Sequence, residues 1–533
     1  MTRMRLTPFL LAAPVAMLAG LAPATAGAAD YCVAPNTGCG GTPIPNLEQA
    51  LDLADNATDP DRVFLGAAIY TAPTTTGFYY SESSSPVQII GQGRGQTVLT
   101  APSAASFVLR LLGGAGSSVN DLTIRLPQTA AAGLKGLSTS GLGRRVEVIE
   151  DATQANNRSG VELFNGGTLE DSSVALGSGQ DTVGVLLETG GGAVRRSSAS
   201  AKTAVHSEYG GAIEQSQLTG SEAGVIAYRN TTAIRSSLIR FTATPGAGIG
   251  ALTRKGSPTT VTADGVTIVG PNVLNTFGVA AVTGILTGSP VAVSLTNSII
   301  RGAERPLYAA ADVSTAKISA SYSDYNSSAN LVGARGGNED IAETNVSNVG
   351  DAGFVDAVAG DYRLRAGSAL IDSGDPITQQ GLDLDGNPLV MDGNGDGLAR
   401  RDLGAYELPP ALPPAAGDAP PTVPAVDREA PLVSGFRAAP ALFAVRRGTR
   451  FRYTLSEQAR VTLTIQRKLP GGRHRVVGRL RRNATSGRNS TRFTGKIRAR
   501  ALRPGRYRAL IRASDAAGNR SVRKATRFRI AAR

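Results

Sequence analysis

A four-residue phrase of small and aliphatic residues recurs five times in the middle of the chain. Its second position is valine or isoleucine in every copy, and successive copies start 24, 20, 20 and 24 residues apart. A repeat of roughly 20–30 residues built on short apolar strands is typical of a solenoid, in which each repeat forms one coil. The copies are Gly160-Val161-Glu162-Leu163, Gly184-Val185-Leu186-Leu187, Ala204-Val205-His206-Ser207, Gly224-Val225-Ile226-Ala227 and Gly248-Ile249-Gly250-Ala251.

A second phrase follows each of the first four copies, and its second position alternates in charge. The alternating residues are Glu170, Arg195, Glu214 and Arg235. If the coils stack as parallel strands about 4.8 Å apart, opposite charges face each other from one coil to the next. The two phrases together predict a fixed register, in which the branched aliphatic positions of the first phrase form one inward-facing column.

The residues around the repeats resemble the right-handed parallel β-helix proteins of the pectate-lyase-like superfamily. Asn46 precedes an amphipathic segment, Leu47–Ala54, which predicts a short helix that caps the first coil. Strand-forming runs with Val63-Phe64-Leu65-Gly66 and Ile90-Gly91-Gln92-Gly93 come next. The resemblance covers residues 30–407 and implies an all-β fold: a right-handed parallel β-helix solenoid with an N-terminal capping helix.

The end of this region is similar to the ending of secreted β-helix proteins called choice-of-anchor Q. The matching runs are Asp361-Tyr362-Arg363-Leu364, Gly367 to Gly374, and Asp402 to Glu407. This family name implies secreted or surface placement and carries no assigned chemistry.

Residues 1–29 have the pattern of a signal peptide that is removed from the mature protein. Arg3 and Arg5 give a positive start, and Phe9 to Leu21 forms an apolar core too short to span a bilayer. Small residues suited to cleavage follow at Ala24-Thr25-Ala26. No later stretch is apolar enough for a transmembrane segment. We therefore expect a secreted protein, extracellular or associated with the cell surface.

The only cysteines, Cys32 and Cys39, follow directly after the predicted cleavage site. In an oxidising compartment this position predicts one local disulfide that holds the mature N-terminus. A metal site would need further ligands nearby, and the sequence offers none.

The C-terminal part of the chain has a different composition. Residues 408–428 form a Pro-rich linker, and strands that alternate apolar with polar residues predict an antiparallel β-sandwich over 429–533. The run Asp515–Asn519 resembles the last hairpin of bacterial immunoglobulin-like or fibronectin-type modules. Residues 427–533 contain 29 Arg or Lys and four Asp or Glu, a net charge of +25, whereas the rest of the chain carries −12. This asymmetry predicts a basic module that binds an anionic surface.

Residues that could carry chemistry collect on the outward positions of the first phrase. Glu188 and Glu208 are predicted to lie one coil apart, with His206 beside them. Paired carboxylates this close raise the pKa of one partner and can supply an acid and a base for glycosidic cleavage. The alternative is a set of solvated residues on an exposed sheet, because clustered charges are often structural. The candidate binding residues beside the acids are Tyr209, Tyr228 and Arg229.

A short acidic loop has the front half of a calcium-binding pattern. Asp392, Asn394 and Asp396 occupy positions one, three and five, with Gly397 at position six. Position twelve is Leu403, where a bidentate Glu is expected, so the alternative is a tight Asn/Gly turn without metal. No cofactor is required, and calcium here would be structural. The carboxylates that could complete the shell are Asp402, Asp383 and Asp385.

Three functions are compatible with these patterns. The first is a secreted or cell-surface carbohydrate-interacting protein, tethered by its basic module, with an extracellular polysaccharide or an anionic cell-wall polymer as partner and no nucleic acid. The second is a polysaccharide lyase or glycoside hydrolase acting on an acidic glycan. The third is a non-catalytic structural envelope protein. The sequence favours the first, because the paired-aspartate and His-Gly signatures of polygalacturonases and the calcium and arginine motifs of pectate lyases are absent.

Overall fold

A computed structural model describes residues 28–410 and 430–531, except 37, 55–59, 82–84, 115, 128–131, 151–156, 180, 255, 285–287, 334, 378–379, 446, 471–472, 498–499 and 516–518. Almost all of the predicted signal peptide and linker lies outside the described residues. The chain divides into two compact units, Met1–Leu412 and Pro413–Arg533, and each has its own apolar core.

In its described residues, the first unit is built from strands and one α-helix, α1 (Leu47–Leu53), with a single 3₁₀ turn at Ser327–Ala329. The strands that form its large parallel sheet are β1 (Asp30–Val33), β2 (Thr42–Ile44), β3 (Asp61–Leu65), β4 (Ile69–Thr71), β5 (Phe78–Tyr80), β6 (Val87–Ile90), β7 (Val98–Thr100), β8 (Phe107–Leu111), β9 (Ser118–Leu126), β10 (Lys135–Thr139), β11 (Leu142–Glu150), β12 (Arg158–Leu163), β13 (Gly167–Glu170), β14 (Ser173–Ala175), β15 (Thr182–Leu187), β16 (Gly192–Arg195), β17 (Ser198–Ser207), β18 (Gly211–Glu214), β19 (Gln217–Ala227), β20 (Asn230–Phe241), β21 (Gly246–Leu252), β22 (Thr259–Val282), β23 (Val291–Thr296), β24 (Ile299–Ala310), β25 (Thr315–Ser321), β26 (Leu331–Gly333) and β27 (Asn338–Thr344). A separate antiparallel pair follows, β28 (Phe354–Asp356) and β29 (Asp361–Leu364).

The parallel strands stack in three ladders, so that each coil of the chain contributes one strand segment to each ladder. Ladder A carries the second phrase, ladder C carries the first, and ladder B lies between them along the chain. The longer strands bend from one ladder into the next, as β17 does. This arrangement confirms the predicted parallel β-helix. Ladder A contains β13, β16 and β18; ladder B contains β14 and the starts of β17 and β19; ladder C contains β12, β15 and the ends of β17 and β19.

The branched aliphatic residues of the first phrase form the predicted column. Val161 pairs with Val185, Val185 with Val205, Val205 with Val225, and Val225 with Ile249. All five side chains are completely buried in the core of the solenoid. Burial of a valine side chain contributes about 1.5–3 kcal/mol, so one repeated column supplies much of the stacking energy.

The alternating charges of the second phrase also stack in the predicted register, with Glu170 opposite Arg195 and Arg195 opposite Glu214. Arg195 Nε lies 3.0 Å from Glu214 Oε2. Glu170 instead forms ion pairs with Arg196 and with Arg144. The register was therefore predicted correctly, although the ion pairs do not follow it strictly.

A sharp bend separates ladder A from ladder B in ten successive coils, and one residue at each bend has a positive φ between 44° and 63°. Non-glycine residues adopt this left-handed conformation only when the surrounding structure holds them there. The bend sets the position in each coil at which the chain passes from ladder A to ladder B. The bend residues are Asp121, Arg145, Asp171, Arg196, Gln215, Ser236, Gly265, Asn297, Tyr322 and Asn345.

A ladder of buried serines follows the bend residues and joins successive coils. The Ser197 hydroxyl accepts the N–H of Ser172 at 3.1 Å and donates to the carbonyl of Arg195 at 2.7 Å. Ser216 repeats both bonds one coil later. The hydroxyl thus satisfies a buried N–H at the bend, and it is a second donor to a carbonyl that also accepts a backbone N–H, as Arg195 O does from Asp171. Other serines with both bonds are Ser172, Ser237, Ser298 and Ser323.

The N-terminal end is closed as the sequence predicts. The Asn46 side chain caps α1 by accepting the N–H of Gln49 at 2.9 Å, and the apolar face of the helix, including Leu47 and Leu51, is buried in the solenoid core. Cys32 and Cys39 form the predicted disulfide. Among the described residues, no helix is long and apolar enough to cross a membrane.

The last part of the first unit, residues 349–408, packs against the outer side of ladder B, and we call it the return segment. Its apolar residues form small cores with the ladder, as Tyr406 does with Leu238. Polar bonds tie it to the bend residues: the Asp375 N–H donates to Asn297 Oδ1 at 2.7 Å, and Gln215 donates to the carbonyl of Asp383 at 2.7 Å. The segment therefore covers apolar residues that ladder B would otherwise expose.

The second unit contains a three-stranded sheet and a five-stranded sheet around an aromatic core. Phe451, Phe493 and Phe528 lie in contact within that core. All pairings in the two sheets are antiparallel except one short parallel pair, which confirms the predicted antiparallel β-sandwich. The strands are β30 (Val433–Ala439), β31 (Leu442–Phe443), β32 (Thr449–Leu455), β33 (Ala459–Lys468), β34 (His474–Ala484), β35 (Gly487–Phe493), β36 (Lys496–Ile497), β37 (Arg500–Ala501), β38 (Gly505–Ser514) and β39 (Lys524–Ile530). The sheets have the strand orders β30-β32-β35 and β31-β39-β38-β33-β34, and β36 with β37 forms a separate pair.

Candidate functional site

A cleft of about 630 Å³ lies on the outer side of ladder C, and we call it the ladder C cleft. Its walls come from the ends of β15, β17 and β19 and from the loops that follow them. Of the six site residues predicted from the sequence, all but Tyr228 line the cleft directly. The lining includes Glu188, His206, Glu208, Tyr209 and Arg229, together with Lys202 and Arg254.

The predicted acids are brought together because ladder C continues one residue beyond its strands. The Glu188 N–H donates to Leu163 O and the Glu208 N–H donates to Leu187 O, each at 2.8 Å. The Tyr228 N–H donates to Ser207 O at 2.7 Å in the next coil. Glu188, Glu208 and Tyr228 are consequently stacked one coil apart, with a spacing of about 4.8 Å between neighbouring strands.

Glu208 is the centre of the polar network in the cleft, and its side chain is only 10% exposed. Its Oε2 atom lies 3.2 Å from His206 Nε2. Its Oε1 atom lies 3.4 Å from Arg254 Nη1 and 3.8 Å from Arg229 Nη1. A nearly buried carboxylate needs such partners, because an unpaired charge out of water is costly.

The two arginines of the cleft are held against tyrosine rings. The Arg254 guanidinium lies 4.5 Å from the centre of the Tyr228 ring, and that of Arg229 lies 4.8 Å from the Tyr209 ring. Arg229 Nη1 also donates to Tyr209 Oη at 2.5 Å. Within the described residues, the buried Nε of Arg229 has no hydrogen-bond partner. Tyr228 thus contributes to the site by orienting Arg254.

Burial and neighbouring charges shift the pKa values of Glu188 and His206. Burial raises the pKa of Glu188, and the charges of Glu162 and Glu208 raise it further. Burial lowers the pKa of His206, and this effect outweighs the opposing attraction of Glu208. At neutral pH the ring of His206 is therefore neutral. Glu188 therefore retains its proton more readily than an ordinary carboxyl group, and it lies one coil from the ion-paired Glu208. Acid–base chemistry can use such a pair of carboxyl groups.

Two cationic lining residues were not predicted from the sequence. Arg254 lies 25 residues after Arg229, one more than the 24 residues between the corresponding copies of the first phrase, so an extended alignment places it next to the position of Arg229. Lys202 lies at the rim, 3.4 Å from Asp181 Oδ1 and 3.2 Å from Glu222 Oε2. Its position outside both phrases gave no signal.

The predicted calcium loop lies in the return segment, away from the ladder C cleft. Asp392 accepts the backbone N–H groups of Gly395, Asp396 and Gly397 at 2.7–3.1 Å, as a tight Asx turn does. The three carboxylates proposed to complete the shell have other partners: Asp385 pairs with Arg363, while Asp383 and Asp402 are buried and accept backbone N–H groups. Among the described residues, no group of three or more His, Cys, Asp or Glu side chains is arranged to hold a metal ion. Calcium binding through Asp392, Asn394 and Asp396 stays a prediction.

Comparison with known proteins gives similarities to solved structures alone. No family model and no curated protein matches the chain. The A-module of the mannuronan C-5 epimerase AlgE4 from Azotobacter vinelandii is 15% identical, with a TM-score of 0.28, and the match covers 57% of this chain and 94% of that one. The AlgE6 A-module from the same organism is 14% identical, with a TM-score of 0.30, covering 56% and 93%. Pectin methylesterase from carrot is 11% identical, with a TM-score of 0.23, covering 62% and 86%. At these values the similarities carry no argument about function, and the fold assignment rests on the strand ladders.

Proposed function

We propose that this is a secreted or cell-surface protein that binds an extracellular polysaccharide in the ladder C cleft and is tethered through its basic second unit. The observation that supports the cleft assignment best is the network in which Glu208 holds Arg229 and Arg254 over two tyrosine rings. The N-terminal signal pattern and the Cys32–Cys39 disulfide support an extracellular location.

The chemistry of the cleft suits a sugar chain. Guanidinium and ammonium groups donate hydrogen bonds, carboxylates accept them, and sugar hydroxyls can do both. The cleft mixes acids with bases, so it can bind hydroxyl groups as well as an occasional uronate carboxylate. Because coils repeat along the solenoid, a linear polymer can contact several of them in the same way.

Binding to a panel of neutral and acidic glycans, measured by calorimetry, tests the proposal. Tyr228→Ala removes the ring under Arg254 and should weaken binding about tenfold, or ~1.4 kcal/mol. Tyr79→Ala is the matched control, because Tyr79 is a tyrosine of β5 on the same ladder that is 45% exposed and does not line the cleft. Equal affinities for both variants, or no binding to any glycan, would contradict the assignment of the cleft.

A second candidate function is cleavage of an acidic glycan by a lyase or glycoside hydrolase mechanism. The raised pKa of Glu188 supports it, because a general acid must hold its proton near neutral pH. Glu188 would then donate the proton to the leaving oxygen, and Glu208 with His206 would stabilise or accept charge on the opposite side. Release of reducing ends or unsaturated products that is lost in Glu188→Gln and in Glu208→Gln would establish this function.

Retained binding without product release would leave the carbohydrate-binding function. A structural envelope protein, the third hypothesis from the sequence, predicts neither binding nor turnover in the cleft. The panel therefore separates all three.

A further inference from the structure

The second unit has an open trough of about 640 Å³ on the outer face of its five-stranded sheet. Three hydroxyl groups, from Thr462, Thr464 and Ser514, also line it, and no acidic side chain of the described part of this unit does. The arginines that line this arginine trough are Arg460, Arg479, Arg481, Arg512, Arg520 and Arg523, and all six are exposed.

Strand register explains how the arginines come together. In the central strand β33, Thr462 pairs with Arg481 of β34 on one side and with Arg512 of β38 on the other. Thr464 pairs with Arg479 of β34 on one side and with Leu510 of β38 on the other. Residues directly opposite in neighbouring strands point to the same face of a sheet, so guanidinium groups flank Thr462 on both sides and Thr464 on one side.

The positive charge of this sheet continues beyond the trough without compensation. In the pairing of β38 with β39, Arg506 lies opposite Arg529 and Arg508 lies opposite Arg527. Like charges directly opposite one another destabilise a sheet. Within the described residues, none of these arginines or those of the trough forms an ion pair with a carboxylate. The sheet is therefore arranged at a cost in stability that a bound anion would relieve.

We propose that the arginine trough binds a linear anionic cell-wall polymer through its phosphate or carboxylate groups. This proposal rests on the proposed tethering function and assigns it to one surface. Guanidinium groups bind both kinds of oxyanion through paired hydrogen bonds, and six of them in an open trough suit a chain of repeated charges better than a single small ion.

The lining of the trough argues against single-stranded nucleic acid as the partner. Proteins that bind single-stranded nucleic acid stack the bases on exposed aromatic side chains. Among the residues that the structure describes, no aromatic side chain lines the trough, and the nearby rings of Tyr507 and Phe528 are buried in the core of the sandwich. Recognition through charge and hydroxyl groups alone is expected for a polymer without bases.

The test is binding of the full-length protein to immobilised polyphosphate and to polygalacturonate, with neutral dextran and duplex DNA for comparison. The triple variant Arg479→Gln, Arg481→Gln, Arg512→Gln should lose affinity about tenfold or more and show a shallower salt dependence. The matched control is Arg450→Gln, Arg452→Gln, Arg492→Gln, which removes the same charge from exposed positions of the three-stranded sheet. It should change affinity less than about threefold. Tighter binding to polyphosphate would assign the bound group as phosphate, and tighter binding to polygalacturonate would assign it as carboxylate.

Equal losses in the two triple variants would overturn the proposal, because binding would then depend on net charge alone. Tighter binding of wild-type protein to duplex DNA than to both polymers would overturn it as well. Substitution of the same three arginines by lysine retains the charge and should recover part of the affinity. Such a recovery would show that the glutamine variant loses affinity through loss of charge and not through misfolding. The glutamine triple variant should retain wild-type affinity for the neutral glycans of the panel, which only the cleft is proposed to bind, so failure of the trough and failure of the cleft can be distinguished.

Discussion

His206 Nε2 and Glu208 Oε2 lie 3.2 Å apart at the centre of the ladder C cleft. Because burial keeps the imidazole neutral at neutral pH, its Nε2–H can donate to the carboxylate in a hydrogen bond that a charged partner strengthens. The same carboxylate holds Arg229 and Arg254 through its other oxygen. Glu208 therefore organises three cationic or polar groups at once.

Glu208→Gln should weaken glycan binding about fivefold or more, because an amide pairs only weakly with two guanidinium groups. The matched control is Glu214→Gln, which removes the Arg195 ion pair on ladder A. Calorimetric titration of both variants with the best glycan of the panel checks this. Loss of affinity in both variants would show that the effect is not specific to the cleft.

Ser197→Ala should lower the free energy of unfolding by about 1–3 kcal/mol, because it leaves the buried N–H of Ser172 unsatisfied and removes one of the two hydrogen bonds to the carbonyl of Arg195. Ser198→Ala is the control from the same coil, where the side chain is exposed. Urea denaturation measures the difference. If the two variants are equally stable, the serine ladder contributes nothing to stacking.

Gly265→Ala should destabilise the return segment. A Cβ atom at Gly265 would lie 2.0 Å from Nη2 of Arg401, which is buried and forms an ion pair with Asp264 at 2.8 Å. Gly288→Ala has a similar positive φ but open space around it, so it measures backbone strain alone. We expect Gly265→Ala to be about 1–3 kcal/mol less stable than Gly288→Ala and to be cleaved faster within the return segment in limited proteolysis. Equal behaviour would contradict the packing described for Arg401.

The contribution of two buried carboxyl groups to the stability of the first unit should fall as the pH rises. Burial and the charges of Asp402 and Asp383 raise the pKa of Glu407 to about 10, even though Arg401 lies 3.9 Å away and opposes the shift. Burial likewise raises the pKa of Asp402 to about 6. A carboxyl group whose pKa is higher in the folded state stabilises the fold below its unfolded pKa, and this contribution is lost as the pH rises toward the folded value.

Glu407→Gln should remove part of this dependence, so its melting temperature should fall by roughly 2–4 °C less than that of the wild type between pH 5 and pH 9. Calorimetric melting curves at the two pH values give the comparison. Glu222→Gln, at an exposed carboxylate, should keep the wild-type profile. An unchanged profile in Glu407→Gln would place the titrating groups elsewhere.

Much of the fold could be predicted because a solenoid repeats its contacts locally. The register of Val161 with Val185, and of Glu170 with Arg195, follows from sequence alignment alone, since each coil packs mainly on its neighbours. The serine ladder was visible in the fourth position of the second phrase, at Ser172 and its repeats. The structural role of this serine could not be predicted, because a serine in a repeat is also typical of an exposed turn, and the sequence does not show that its hydrogen-bond partners are buried.

The return segment could not be predicted in the same way. Arg401 meets Asp264, and Asp383 meets Gln215, across 137 and 168 residues of sequence. No period or local pattern relates residues so far apart. The same limit applies to the predicted calcium loop, because the carboxylates expected to complete it have backbone and arginine partners that depend on this packing.

The course of the return segment determines how the solenoid bears a mechanical load. Leu408, close to the end of the described part of the first unit, packs near Ile299 rather than at the last coil. A force applied at this point is distributed over several coils in shear, through Asn297, Asp264 and Gln215, instead of peeling coils away one by one. A protein held to a wall by its C-terminal end would in this way resist being unravelled by flow or growth.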